Sequence, residues 1–88
     1  MVKIYSYTVN MEANRKIFLE SCKKIEDNLP VTKAEPIEDV DGSIIQHYHY
    51  DGKKITLYND YEDVNAVYID SEVDLDDIFP DAFRIHNN

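Results

Sequence analysis

Positions 2–9 alternate in β-branched and aromatic residues, with Val2 and Ile4 on one face and Tyr5, Tyr7 and Val9 on the other, which predicts a first strand. From residue 11 the pattern takes a helical period. At about 100° per residue, Met11, Phe18, Cys22, Ile25 and Leu29 fall in a sector about 60° wide, and Lys16, Glu20 and Lys24 form an i,i+4 ladder outside it. Asn10 is the expected N-cap, because its side-chain carbonyl can accept from an unsatisfied first-turn amide, and Glu12 suits the positive end of the helix dipole. Pro30 ends the helix, since proline disfavours helical geometry in the residue before it and has no amide to donate. The expected helix therefore covers 11–29.

Val31 to Ile37 suits a short second strand whose end, at Pro36, lies at an edge or bulge. Glu35 to Gly42 is a charged connection with a turn at Asp41-Gly42. Ser43–Tyr50 and Lys53–Tyr58 are β-rich runs separated by Asp51-Gly52, a dipeptide that accepts the positive φ angles of a type I′ hairpin turn. Two-residue closure pairs Tyr50 with Lys53, Tyr48 with Ile55 and Gln46 with Leu57. It puts Ile44, Tyr48, Tyr50, Ile55 and Leu57 on the expected core face, and Ile45, His47, His49, Lys54, Thr56 and Tyr58 on the other. Val64 to Ile69 reads as a further strand. Beyond it every second residue is acidic, and two readings stay open. In one, the strand continues and Asp70, Glu72, Asp74 and Asp76 project from a single face about 6.6 Å apart. In the other, Ser71 caps a short helix, Asp74 completes a capping box, and Leu75, Ile78 and Phe79 pack inward. Pro80 is expected to open a terminal turn in which Phe79 and Phe83 pack at i,i+4, with 85–88 frayed. The fold class that follows is α+β: a mainly antiparallel sheet of four to five strands with one long amphipathic helix packed on one face, in a single domain spanning 1–88.

A chain of 88 residues buries only about 60–65% of the surface it exposes when unfolded, enough for one modest core. With 43% hydrophobic residues and only two glycines and three prolines, it is too apolar and regular for a disordered acidic tail. Charge changes the picture more. Residues 35–88 hold fourteen acidic side chains against three basic ones, Lys53, Lys54 and Arg84, whereas residues 1–34 hold four against six. The net charge of -9 is thus polarised along the chain, favouring basic partners and repelling nucleic acid and anionic membranes. A single cysteine excludes an intrachain disulfide, no run approaches the roughly eighteen apolar residues of a membrane span, and the first residues lack a secretory apolar stretch, so a cytoplasmic setting is expected.

The acidic alternation is the leading candidate for function. Carboxylates spaced like phosphates could occupy the basic groove of a nucleic-acid-handling protein, while the plainer reading is a solvated strand face protected from aggregation. Asp60, Glu62 and Asp63 precede that stretch, and Glu35, Glu38, Asp39 and Asp41 add self-repulsion that a structural role does not require. Asp70, Glu72, Asp74, Asp76 and Asp81 also fit positions one, three, five, seven and twelve of an EF-hand count. Leu75 stands where the glycine of that loop belongs, however, so no calcium site is assigned. His47 and His49 share a strand face and with His86 invite a metal reading, but two ligands do not make a site and the face is otherwise ordinary solvated surface. Cys22 lies in the apolar stripe of the helix and reads as a buried, inert thiol. No glycine-rich phosphate loop, nucleophile elbow or metalloprotease helix occurs, so no catalytic residue and no cofactor is assigned. Seven tyrosines exceed what one small core encloses, which places some of Tyr7, Tyr50, Tyr58 and Tyr61 at the surface, where tyrosine suits a protein interface.

No motif ties the chain to one family. In size and composition it resembles the small acidic inhibitors of phages and mobile elements, DNA mimics and anti-CRISPR proteins among them, and the immunity proteins of nuclease toxins. The resemblance implies a non-enzymatic inhibitor that blocks the basic site of a nuclease or other nucleic-acid-binding protein, touching neither nucleic acid nor membrane, as a monomer or homodimer. The expected contact residues are Asp60, Glu62, Asp63, Asp70, Glu72, Asp74 and Asp76 with Tyr58 and Tyr61. The alternative is a structural or regulatory module recognised through a tyrosine-bearing sheet face.

Overall fold

A computed structural model describes residues 3–87, with side chains through Arg84. Among the described residues, seven strands, β1 (Ile4–Asn10), β2 (Thr32–Lys33), β3 (Ile37–Glu38), β4 (Ile44–Tyr50), β5 (Lys53–Asp60), β6 (Ala66–Ser71) and β7 (Phe83–Asn87), join in one sheet, and one helix, α1 (Arg15–Asn28), covers one of its faces. The strand order is β2-β4-β5-β6-β1-β7, with β3 also pairing β4, and every pairing is antiparallel. The α+β class is as expected, with more strands and a shorter helix. The extra strands arise because Pro36 lies between β2 and β3 along the same edge of β4, and because Phe83–Asn87 pair with β1, where a terminal turn and then fraying from residue 85 were expected. Val2, expected in the first strand, lies outside the described residues.

The central hairpin forms in the predicted register, Tyr50 opposite Lys53, Tyr48 opposite Ile55 and Gln46 opposite Leu57. Asp51 and Gly52 both adopt positive φ, 51° and 76°, matching the right-handed twist of the strands they join. Its inner face carries Ile44, Tyr48, Ile55 and Leu57 into a core shared with Tyr7 of β1, Val67 and Ile69 of β6, and Phe18, Cys22 and Ile25 of α1. Each large apolar side chain buried there contributes about 1.5–3 kcal/mol relative to exposure.

The helix begins four residues later than expected. Asn14, and not Asn10, is the N-cap: its Oδ1 accepts from the Ile17 amide at 3.0 Å. Two asparagines distant in sequence hold residues 13 and 14 out of the helix, Asn65 Oδ1 accepting from the Ala13 amide and Asn59 Oδ1 from the Asn14 amide. Asn10 instead donates its side-chain amide to the Glu12 carbonyl, and Met11, assigned to the stripe, is 82% exposed. The ion pair on the helix joins Lys23 to Asp27 at 2.9 Å, one position away from the expected Lys16-Glu20-Lys24 ladder. At the other end the chain leaves the helix at Leu29, in extended conformation before Pro30.

Neither reading of residues 70–79 describes the backbone that forms, although Leu75, Ile78 and Phe79 pack inward as the second reading expected. β6 stops at Ser71, whose hydroxyl accepts from the Val73 amide and donates to the Val73 carbonyl, closing a tight turn where a helix cap was one expectation. Asp74 Oδ1 then accepts from the Asp76 amide, and a single turn returns the Ile78 and Phe79 amides to the Leu75 carbonyl, burying Leu75 and Phe79. Tyr7, one of the four candidates for a surface tyrosine, is 1% exposed and anchors this segment. Its hydroxyl accepts from the Leu75 amide at 2.7 Å and donates to Asp76 Oδ1 at 2.8 Å. Arg84 Nη1 meets the other Asp76 oxygen at 3.1 Å. Phe79 and Phe83 do not share a turn: Phe79 is buried, and Phe83 lies 62% exposed in β7.

Candidate functional site

With α1 against one face of the sheet, the other face carries the alternate residues of each strand. Register aligns a row across it: Ile37 opposite Ile45, Ile45 opposite Tyr58, Tyr58 opposite Tyr68, Tyr68 opposite Thr8, and Thr8 opposite Phe83. Tyr58 and Tyr68 stack with ring centroids 4.4 Å apart and planes 12° from parallel. That geometry adds about 0.5–1.5 kcal/mol beyond the area buried. Neither hydroxyl has a hydrogen-bond partner among the described residues. Both phenols are held above their ordinary pKa, by burial first and then by nearby carboxylates, Asp70 for Tyr58 and Asp60, Asp70 and Asp63 for Tyr68. The next row is polar. His47 Nδ1 lies 2.9 Å from Thr56 Oγ1, and Ser6 Oγ donates to Asp70 Oδ1. Burial, followed by Lys54 and His49, depresses the His47 pKa.

At one end of the tyrosine pair the sheet face opens into a hollow of about 300 Å³. Ile45, Tyr58 and Tyr68 line it together with Asp39 and Asp41 from the β3–β4 turn, Asp60 at the end of β5, and Glu62 and Asp63 from the β5–β6 turn. The two turns are tied together: the Tyr61 amide donates to Ser43 Oγ, and the Tyr61 ring lies over Gly42, where an added Cβ would meet it at 3.5 Å. Several of these carboxylates are oriented by their own backbone. Asp60 accepts from the Glu62, Asp63 and Val64 amides, Asp41 from the Ser43 amide and hydroxyl, and Asp39 from the Val40 amide. The carboxylates of Glu62 and Asp63 make no hydrogen bond or ion pair among the described residues. The ion pairs found there join Lys23 to Asp27, Lys33 to Glu26 and Arg84 to Asp76, so none of the five carboxylates of the hollow is neutralised by them. Val40, Tyr61 and Val64 are exposed apolar groups on the same two turns.

The expected contact residues separate. Asp60, Glu62, Asp63 and Tyr58 line the hollow and Tyr61 borders it. Asp70 and Glu72 line a second, shallower recess of about 220 Å³ that shares Tyr58, and Glu72 Oε1 there accepts from the Lys54 amide. Asp74 and Asp76 lie elsewhere, beside the core-facing phenol of Tyr7, so the single row of four carboxylates does not form. Ile45, Tyr68, Asp39 and Asp41 were not among the expected contacts. The predicted hairpin register could have located the two aspartates, since pairing Ile44 with Asn59 brings the residues before 44 beside those after 59. Cys22 is buried, and desolvation raises its thiol pKa to about 11. Among the described residues no group of three His, Cys, Asp or Glu is placed to hold a metal ion, and no helix is long and apolar enough to cross a membrane. The His86 side chain lies outside the described residues. In comparisons with known proteins, the chain matches no family model, no curated protein and no solved structure.

Proposed function

We propose that this protein is a non-enzymatic binding module whose open sheet face docks on a basic surface of another protein. Nucleic-acid-processing proteins are the favoured class, because their binding sites are the commonest strongly basic surfaces and an acidic ligand there excludes the nucleic acid. The observation that carries the reading is the hollow, in which five carboxylates without basic partners among the described residues line one cavity with a stacked tyrosine pair. Carboxylates that served only solubility would gain by spreading apart. Here two turns hold them together at a cost in repulsion, next to exposed apolar groups that suit the centre of an interface. The site is a compact acidic cup, where the sequence suggested a ladder imitating a phosphate backbone.

The test uses a purified basic nucleic-acid-binding protein recovered with this chain at low ionic strength. Its affinity should fall by about an order of magnitude at high ionic strength and again in the Glu62→Gln/Asp63→Asn variant, and binding should displace the partner's DNA or RNA. Binding unaffected by both changes, or compatible with bound nucleic acid, would overturn the proposal. The apolar row from Ile37 to Phe83 favours a second reading, recognition through the sheet face with acidity secondary. That version expects salt-insensitive binding lost on Tyr58→Ala.

A further inference from the structure

We infer that the group the hollow receives is the guanidinium of an arginine on the partner, stacked on the Tyr58–Tyr68 pair and bonded to the surrounding carboxylates. The inference rests on the functional reading above and names the chemistry of its partner. Both common cations would be drawn by the charge, so the distinction lies in what else the hollow presents. Its apolar surfaces are two half-buried rings together with Ile44 and Ile45. An ammonium is a compact, strongly hydrated charge that would give up water against such surfaces, whereas a guanidinium is weakly hydrated on its flat faces and stacks on aromatic rings. The polar groups point the same way. Asp60 and Asp41 are held in place by backbone amides, presenting fixed carboxylates to a rigid fork of donors, and Glu62 and Asp63 have their full accepting capacity free. A volume of about 300 Å³ accommodates a side-chain head group and its stem but not a secondary-structure element. The occupant belongs to a different protein, since a second copy would bring another net charge of -9 against the same acidic face.

Two capped peptides of equal length and charge, one carrying arginines and the other lysines at the same positions, serve as probes in an NMR titration at low ionic strength. The arginine peptide should bind about tenfold more tightly. Its side-chain protons should shift upfield in the ring currents of Tyr58 and Tyr68, a readout that needs no variant. In Tyr58→Leu/Tyr68→Leu, with the fold verified by its amide spectrum, the preference should disappear while both peptides still bind. Equal affinities for the two peptides, or an arginine preference that survives loss of both rings, would overturn the inference and leave the basic-partner reading standing. Failure of both peptides to bind would overturn both readings. Self-association of the chain that is lost on Tyr68→Leu would assign the face to a second copy and overturn the inference.

Discussion

The Tyr7 hydroxyl should be worth far more than a surface phenol, and Tyr7→Phe isolates it. The ring remains, so no cavity forms. What is lost is a donor to Asp76 Oδ1 at 2.8 Å and an acceptor for the amide of the fully buried Leu75 at 2.7 Å. Asp76 keeps Arg84 and is partly solvated, so its share is about 1 kcal/mol, whereas an orphaned buried amide costs about 1–3 kcal/mol. The sum is about 3 kcal/mol, a quarter or more of the stability usual for a domain of this size. At about 4–8 °C per kcal/mol for such a domain, the midpoint should drop by about 12–24 °C. Urea and thermal unfolding measure the loss, and native-state hydrogen exchange reads the Leu75 amide directly. A change below about 0.5 kcal/mol with the Leu75 amide still protected would refute the claim that this phenol organises residues 72–79.

Three further outcomes are expected. Gly52→Ala should cost about 1 kcal/mol through backbone strain alone, since φ is 76° and an added Cβ meets nothing within 4 Å; an unchanged urea midpoint would contradict this. The Cys22 thiol, with its pKa pushed up to about 11 in the core, should resist a disulfide reagent at neutral pH until the protein unfolds, and prompt native-state labelling would show the site to be open. Tyr7, Tyr48, Tyr58 and Tyr68 all have pKa values raised from the ordinary 10.0, with burial the first cause in each case. The unfolded chain therefore releases those protons first. Their contribution to stability is complete below about pH 10 and is lost as the pH rises from there through the native values. Phenolate absorbance followed alongside unfolding should show these four ionising late and together with loss of structure; simultaneous ionisation of all seven tyrosines in a folded protein would contradict it.

What the chain determines locally, it determines well. Asp51-Gly52 accepts the positive φ angles of the hairpin turn, and two-residue closure leaves one register that buries Ile44, Tyr48, Ile55 and Leu57 together. The helical stripe of Phe18, Cys22 and Ile25 follows from a period of 3.6 residues, and the acidic excess after residue 35 is composition. The start of the helix was not legible, because Asn10 and Asn14 are equally competent caps and the choice falls to Asn59, near the end of β5, and Asn65, in the β5–β6 turn. Residues 70–79 were ambiguous for the same reason: alternation favours a strand and Ser71 a cap, but the phenol of Tyr7, 68 positions before Leu75, takes the Leu75 amide. The candidate site shows the same division. Sequence supplies the carboxylates and tyrosines, while sheet order sets Tyr68 beside Tyr58, brings Asp39 and Asp41 to Asp60, Glu62 and Asp63, and sends Asp74 and Asp76 toward Tyr7. Periodicity and turn chemistry act within a few residues and can be read in order along the chain; a hydrogen bond or a shared hollow between distant segments exists only once the sheet has closed the distance.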